Sequence, residues 1–361
     1  MHDSARRSTY GIRRYVETVA SRRGRHRIRF LAWGAPIVLF ALPLRFTSEE
    51  AMAGGAPAVT IAPPDPEAAC ATVTQGEMVH VFDTRAVPGP ATYVNDHTLV
   101  QGPDRAWHLF GIFHREPMGD DGEVDFIHAV ANEPDPGRWE EGAFVPAAAP
   151  FDIALRADRS LGETHLWAPH VVQDGDRWFM IYQGGGPDDY HASIRLAEST
   201  DLNRWSRVSG APLFEDFCAA RDPMLVRRDD VWVLHYTRCD SLARKISGVA
   251  FRTSRDLIHW TEPVMLAVSG DSVPTSNSAF TESPFVFARG GHHYLSVTAY
   301  PLAWDATLLY RSRAPLAFPD VPFTRLRAHA GEWVFDDEGR AWLTHAGPGQ
   351  RGVWVSRITG I

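Results

Sequence analysis

One stretch, Ala220 to Thr237, recurs in modified form along the chain and constrains the fold more than any other feature. It contains an acidic residue at the head of a strand, a charged turn at Arg228-Asp229-Asp230 and a second strand of bulky apolar residues. This order predicts a β-hairpin. Related copies begin at Asn95, Leu166, Glu282 and Gly331.

The spacing of the copies predicts the architecture. Pro169 and Pro223 are 54 residues apart, and Pro223 and Pro284 are 61 apart, which suits one four-stranded sheet per repeat. Short strands alternate with Gly, Asp, Pro and Asn turns, and no long amphipathic helix is indicated. We therefore predict an all-β fold, a single five-bladed β-propeller over residues 79–361.

A second repeated element supports this architecture. Ser199 to Trp205 and Ser254 to Trp260 share the pattern Ser-x-Asp-Leu-x-x-Trp, and each lies between two hairpins. We interpret the pattern as a turn whose tryptophan packs between sheets. The pattern therefore indicates the architecture and does not indicate a catalytic site.

The N-terminus has a different composition. Residues 1–53 run from an Arg-rich segment through the apolar stretch Phe30 to Leu44 to small residues at Ala51-Met52-Ala53, which predicts a secretory signal peptide, or a membrane anchor if it is retained. Residues 54–78 are expected to form a flexible linker. The predicted location is secreted or periplasmic, with attachment to the membrane as the alternative.

Composition narrows the partners. The formal net charge of −8, together with the Arg-rich N-terminus, leaves the folded part acidic and argues against a nucleic-acid partner. No protein partner is indicated. The three cysteines, Cys70, Cys218 and Cys239, are expected to be buried thiols, with a Cys218–Cys239 disulfide as the alternative.

The chemical signal lies at the heads of the inner strands, where Asp96, Asp222 and Glu282 stand at the same phase of the repeat. In a propeller the innermost strands line one channel, so these three acids are expected to converge. A single acid before a strand is usually a solvated cap. Three acids in one pocket would repel one another and split their pKa values, as acid/base chemistry on a glycosidic bond requires.

These residues make the chain resemble the five-bladed propeller glycoside hydrolases of families 43, 32, 68 and 62, which include arabinanases, β-xylosidases, invertases and levansucrases. The likeness covers residues 79–361 and is carried by Asn95-Asp96, Trp167-Ala168-Pro169, Arg221-Asp222-Pro223, Glu282-Ser283-Pro284, the two repeated turns, and His329 with Glu332. The resemblance implies that Asp96 is the base or nucleophile, that Asp222 orients and tunes the others, and that Glu282 is the general acid.

The substrate stays open between two readings. Arg221-Asp222-Pro223 favours the fructosidases, whereas Trp167-Ala168-Pro169 is common in family 43, and Asn95-Asp96 lacks the usual Pro-Asn-Gly continuation. The leading prediction is an arabinofuranosidase or β-xylosidase that acts on an oligo- or polysaccharide. A β-fructofuranosidase or fructosyltransferase is the alternative, and a non-catalytic carbohydrate-binding propeller is the second.

Further residues are candidates for sugar binding. Arg221 suits vicinal hydroxyls or a carboxylate, and Trp167 offers a stacking face that would equally serve blade packing. The remaining candidates are Asn95, His97 and His329, with His165 and His170 as lesser ones. No cofactor is predicted to be required; a structural Ca²⁺ held in the channel by a fifth-blade histidine is the alternative that the resemblance implies.

Overall fold

The computed structural model describes residues 72–86, 92–115, 122–148, 152–186, 192–216, 220–241, 246–268, 280–300, 306–319, 321–347 and 351–361. The predicted signal, most of the predicted linker, Cys70 and Cys218 lie outside these ranges, as does the side chain of Cys239. None of the helices in the described ranges has the length and apolar composition that a membrane span needs.

The described strands form five antiparallel sheets, one for each predicted repeat, so the prediction of a five-bladed all-β propeller is confirmed. Blade 1 contains β2 (Thr92–Gln101), β3 (Trp107–Arg115), β4 (Asp125–Ala131), β5 (Val145–Pro146) and β6 (Asp152–Arg156). Blade 2 contains β7 (Leu166–Asp174), β8 (Arg177–Gly184), β9 (Ser193–Ser199), β10 (Ser206–Arg207) and β11 (Phe214–Glu215).

The remaining blades follow in chain order. Blade 3 contains β12 (Ala220–Arg228), β13 (Val231–Ser241), β14 (Ile246–Ser254) and β15 (Val264–Met265). Blade 4 contains β17 (Phe280–Arg289), β18 (His292–Tyr300), β19 (Thr307–Ser312) and β21 (Thr324–Leu326). Between them, β16 (Ala267–Val268) and β20 (Ala317–Phe318) form a short parallel pair.

Blade 5 is built from both ends of the propeller. It contains β22 (Glu332–Phe335), β23 (Ala341–Ala346) and β24 (Gly352–Thr359), and β1 (Thr74–Asp83) pairs with β24 as its outer strand. The predicted linker therefore extends too far, because residues 74–78 belong to this strand. Pairing the first strand with the last closes the ring, because segments from both ends of the propeller then complete one blade.

The repeated turns are local structures that their own residues explain. Ser199 Oγ accepts a hydrogen bond from the N–H of Leu202 over 2.9 Å, and Leu202 takes a left-handed φ of 61°. The Trp205 indole then donates to the Leu202 carbonyl over 3.2 Å. The second copy repeats these contacts with Ser254, Leu257 and Trp260.

The core lies between the blades. One buried cluster joins blades 1 and 5, another joins blades 1 and 2, a third joins blades 2 and 3, and the largest spans blades 3, 4 and 5. Because apolar burial of this kind is the main favourable contribution to folding, the five blades hold the channel by packing face to face. The heads of the inner strands β2, β7, β12, β17 and β22 consequently face one another.

Candidate active site

A β-bulge interrupts each inner strand near its head. In blades 1 to 4, two residues of the inner strand face a single residue of the next strand. In blade 5 the same interruption lies between His329 and Glu332. Four bulges hold a non-glycine residue in left-handed backbone, with φ between 45° and 52°, at Ala168, Asp222, Ser283 and Ala330. The bulge re-aims side chains at the channel and is a property of the repeat.

The three predicted acids occupy three successive positions of this bulge. Glu282 is the last paired residue before its bulge, Asp222 is the first bulged residue of blade 3, and Asp96 is the second bulged residue of blade 1. The expectation of one common phase was therefore wrong.

Proline explains the shift. Blades 2, 3 and 4 carry Pro169, Pro223 and Pro284 at the second bulged position, where no ladder hydrogen bond is needed from the backbone N–H. Blade 1 has no proline there, so the position is available to an acid, Asp96.

The acids nevertheless meet at one place. A cavity open to solvent is bordered by Asp96 and Asp222, together with bulge residues of the other blades. Ser283 joins the two aspartates: its Oγ donates to Asp96 Oδ1 over 2.8 Å, and its N–H donates to Asp222 Oδ2 over 3.2 Å. Glu282 precedes Ser283, and its side chain is 16% exposed.

The electrostatics of the three acids are dominated by burial. The pKa of Asp222 is raised to about 6: burial is the largest cause, the Arg221 guanidinium acts against it, and the nearby Asp96 carboxylate adds to it. Burial also raises the pKa of Asp96 and of Glu282, each with a neighbouring acid acting in the same direction. Three carboxyl groups thus share a poorly solvated space, which favours the protonated form of at least one of them.

Arg221 contacts a different acid from the one expected. Its Nη2 lies 3.3 Å from Glu282 Oε1, across the boundary between blades 3 and 4. The adjacency of Arg221 and Asp222 in the sequence predicts that Arg221 favours the ionised form of Asp222, and the Arg221 charge does lower the pKa of that carboxyl, although burial leaves it raised to about 6.

The predicted sugar-binding residues differ in their surroundings. Trp167 is half-buried, its indole N–H donates to Glu123, and one face of its ring stacks on His165 at 4.6 Å. His97 is buried, with Nδ1 3.2 Å from the Asn95 carbonyl and Nε2 3.0 Å from Thr344 Oγ1. Both of its ring nitrogens therefore contact protein groups, which fits a supporting position better than direct contact with a sugar.

The other predicted histidine and asparagine lie close to Asp96. Asn95 is half-buried and provides the carbonyl that contacts His97. His329 is 4% exposed, and its charge is near enough to Asp96 to lower the pKa of that carboxyl. The roles of Asn95, His97, His329, Trp167 and Arg221 toward a sugar remain predictions.

Glu332 is a fourth acid at the cavity, which the sequence resemblance included but the predicted site residues did not. Glu332 borders it, and burial raises the pKa of its carboxyl. Its Oε2 lies 3.4 Å from Nδ1 of His170, whose Nε2 is 3.1 Å from the Leu225 carbonyl. Glu332 stands one residue past its bulge, the position of His97 and His170 in blades 1 and 2, and this register was the signal that could have revealed it.

The channel calcium that the resemblance implies stays a prediction. Calcium takes six to eight oxygen ligands, so a histidine of the fifth blade, His329 or His345, would hold an ion whose other ligands are mainly water. Of these, Nε2 of His345 is buried without a hydrogen-bond partner among the described residues. One group of three acids among the described residues has carboxylate oxygens close enough to one another to share an ion: Asp135, Asp336 and Glu338. None of the three borders this cavity.

That outer acidic group is already satisfied by a cation of the protein. Arg340 contacts Asp135 over 2.8 Å, Asp336 over 2.6 Å and Glu338 over 2.7 Å. A metal ion would have to displace this guanidinium. We derive no step of chemistry through a metal.

Comparison with known structures shows which proteins have a similar fold. No protein-family model matches the sequence, and no curated protein has a similar sequence. A thermostable family-43 glycoside hydrolase matches with a TM-score of 0.57 at 18% identity, over 77% of this chain and 91% of the other. An α-L-arabinofuranosidase from Lactobacillus brevis matches with a TM-score of 0.57 at 14% identity, over 78% and 94%.

A third match has a bound sugar. It is a family-43 β-xylosidase/α-arabinofuranosidase from a compost microbial metagenome, in complex with xylotriose and in calcium-free form. It has a TM-score of 0.53 at 14% identity, over 79% of this chain and 94% of the other. The resemblance inferred from the sequence is confirmed at the level of the fold: a five-bladed β-propeller like those of family-43 glycoside hydrolases.

Proposed function

We propose that this protein is a glycoside hydrolase that cleaves furanosyl or pentosyl glycosidic bonds, with arabinofuranosides or β-xylosides as its substrates. The observation that carries the proposal is the proximity of three acids from three different blades. Asp96 and Asp222 border one cavity and share Ser283 as a hydrogen-bond partner, and Glu282 is near enough to act on the charge of Asp96 and to be acted on by that of Asp222. The activities named for the structurally similar proteins support the class of sugar.

In the proposed reaction Glu282 is the proton donor. A general acid must hold its proton near neutral pH, and burial together with the Asp222 charge raises the pKa of Glu282. Arg221 lowers that pKa, and its guanidinium also fixes the carboxyl group in place. Glu282 would transfer its proton to the glycosidic oxygen as the bond to the anomeric carbon breaks.

Asp96 is the proposed base or nucleophile. It would either take a proton from the attacking water or attack the anomeric carbon itself, and the stereochemistry of the product separates these routes. Asp222 is proposed to orient its neighbours and to stabilise positive charge that develops on the sugar ring. Its fixed contact with the N–H of Ser283 suits an orienting role.

The remaining residues are proposed to bind the sugar. Arg221 would donate to a sugar hydroxyl beside Glu282, and Trp167 would use the ring face opposite His165. Asn95, His97 and His329 are proposed to shape the subsite around Asp96.

A substrate panel tests the proposal. The purified protein is assayed on aryl arabinofuranoside, aryl xyloside, sucrose and levan, with the Asp96→Asn variant as the control for contaminating activity. Release of the aryl group from a pentoside by wild type alone is the expected result. Activity confined to sucrose or levan would favour the fructosidase alternative, and binding of sugars without turnover would favour the carbohydrate-binding one.

Product stereochemistry resolves the role of Asp96. Proton NMR of the first product formed shows whether the anomeric configuration is inverted or retained. Inversion is expected and would make Asp96 a base acting through water, whereas retention would make it a nucleophile.

We also propose that the protein is exported. The basic, apolar and small-residue order of residues 1–53 is the observation that supports this. Mass spectrometry of protein recovered from the cell envelope or the medium should give an N-terminus near Gly54. An intact Met1 on protein recovered from the cytoplasm would contradict export.

A further inference from the structure

Ser283 lies between the carboxylates of the proposed site. It is the residue after Glu282, its hydroxyl donates to Asp96 over 2.8 Å, and its backbone N–H donates to Asp222 over 3.2 Å. Among the described residues, it is the one that hydrogen-bonds to the Asp96 carboxylate. One residue of blade 4 therefore connects acids of blades 1 and 3.

We propose that Ser283 is a positioning residue for the hydrolytic reaction: its hydroxyl holds Oδ1 of Asp96 and leaves Oδ2 as the oxygen that reacts. The inference rests on the proposed function, because it assigns Asp96 a reacting oxygen. The hydroxyl also fixes the rotation of the carboxylate, since one of its two oxygens has a defined partner. The Ser283 N–H does the same for Asp222 through its Oδ2.

The repeat itself shows that the bulge does not need this hydroxyl. Ser283 has a φ of 49°, and the equivalent positions of blades 2 and 5 are Ala168 and Ala330, at 45° and 49°. Alanine therefore adopts this conformation twice in the same protein. A serine at this position in blade 4 serves its contact with Asp96 and not the turn of the backbone.

The surroundings of Asp96 make this one hydrogen bond consequential. Glu282, Asp222, Arg221 and His329 all act on its charge or are acted on by it. Burial is the largest influence and raises the pKa of Asp96, His329 lowers it, Glu282 raises it, and the Ser283 hydroxyl lowers it. Removal of the hydroxyl should move the pKa of Asp96 upward, so that a higher pH is needed to ionise it.

The test compares Ser283→Ala with Ser283→Gly in the full chain. Both remove the hydroxyl and keep the backbone N–H, but glycine also removes the strain of the left-handed backbone. In both variants the acid limb of the pH profile of kcat/KM should move up by roughly one pH unit. At pH values below this limb, kcat/KM should therefore fall about tenfold relative to wild type. A limb that stays at the wild-type pH in both variants would overturn the proposal.

The matched control is another serine that donates to an aspartate. Ser160 Oγ donates to Asp158 Oδ1 over 2.6 Å in an exposed turn between β6 and β7. Ser160→Ala should leave the pH profile unchanged. A similar shift in this control would show that the effect is not specific to the channel and would overturn the proposal.

A second readout separates this inference from the proposed function. Titration of the Asp96 carboxyl carbon by NMR measures its ionisation without any substrate. An upward shift of the Asp96 titration in both Ser283 variants supports the positioning contact even if the substrate panel shows no hydrolysis, in which case it is the hydrolase function that fails. An unchanged titration in both variants refutes the contact whatever the activity.

Discussion

Buried carboxylates occur in two settings in this propeller. In the body of blade 2, Glu163 is fully buried and accepts hydrogen bonds from Tyr182 over 2.8 Å and from Arg207 over 3.0 Å, while Arg195 lies 3.7 Å away. Asp216, which follows β11 of blade 2, has the same kind of shell, made of Tyr236, Arg238 and Arg252 of blade 3. Each of these carboxylates faces two guanidinium groups and one phenol.

In the channel the balance is reversed. Asp96, Asp222 and Glu282 share one guanidinium among the described residues, that of Arg221, and its direct contact is with Glu282. Burial raises the pKa of all three. The same residue types are thus neutralised where they join strands and left short of positive charge where they face the cavity.

This difference in paired positive charge is a criterion that separates structural from functional acids in the propeller. A neutralised carboxylate lowers the cost of its own burial and stabilises the blade. A carboxylate left without enough positive charge is held in place at the expense of stability, which is typical of sites where a perturbed pKa serves chemistry. The variants below test the distinction from the largest expected effect to the smallest.

The largest effect is expected for Asp96→Asn. If Asp96 provides the attacking oxygen or activates water, kcat should fall by about 10⁴-fold or more on both aryl and natural glycosides. The thermal midpoint should be unchanged or higher, because a buried charge is removed. Retention of more than a few per cent of wild-type activity would remove Asp96 from the mechanism.

Glu282→Gln should separate substrates by their leaving groups. An aryl leaving group that needs no proton should keep most of its rate, whereas natural glycosides should lose about 10²- to 10⁴-fold, the usual contribution of general acid catalysis. The two rates are measured on the same preparation at the same pH. Equal losses on both substrates would show that Glu282 is not the proton donor.

The repeat could be predicted from the sequence because it is local. Each hairpin carries its own turn and alternation, and the Ser-x-Asp-Leu-x-x-Trp turns close through contacts within seven residues, such as that between Ser199 and Leu202. The same locality allowed Asp96, Asp222 and Glu282 to be selected as strand-head acids. The closure of the ring by residues 74–78 involves partners at the far end of the chain, and its boundary was missed.

The partners of the acids could not be predicted for a similar reason. Arg221 is adjacent to Asp222 in sequence but contacts Glu282 from the next blade. Ser283 and Asp96 are 187 residues apart and meet because the first and fourth blades share the channel. Whether a strand-head acid faces the channel depends on its position relative to the bulge, and Asp96 occupies the second bulged position whereas Asp222 occupies the first.

The body of the blade should respond in the opposite way to the channel. Glu163→Gln leaves Arg195 and Arg207 without their counter-charge and should lower the free energy of unfolding by about 3–5 kcal/mol, measured by urea denaturation. Activity per folded molecule should be unchanged. Glu198→Gln is the matched control, because its pair with Arg177 is exposed and should contribute less than about 1 kcal/mol.

A Glu163→Gln variant that is as stable as the Glu198→Gln control would break the comparison. It would mean that the two arginines are solvated well enough to stand alone. The paired charges around Glu163 would then contribute nothing to the stability of the blade, and charge pairing would not distinguish structural acids from those of the channel.

The smallest expected effect is a gain in stability for the Asp222→Asn variant. The pH dependence of this gain tests whether Asp222 is a functional or a structural acid. Because the folded-state pKa of Asp222 is raised to about 6 from 3.8, the folded protein binds the proton more tightly than the unfolded chain. Wild-type stability therefore falls as the pH rises from about 3.8 to about 6 and then stays level. Asparagine keeps an oxygen for the Ser283 N–H and carries no charge at any pH.

The variant should consequently exceed wild type by about 1–3 kcal/mol at pH 7 to 8, and the difference should shrink through pH 6 and disappear below about pH 4. Thermal unfolding at a series of pH values measures this directly, with the exposed Asp176→Asn as a control that shows no such trend. If Asp222→Asn is less stable than wild type at pH 8, its ionised form is satisfied in the folded state. Asp222 would then belong with Glu163 and Asp216 as a neutralised structural acid, and the channel would contain a pair of functional carboxylates, Asp96 and Glu282.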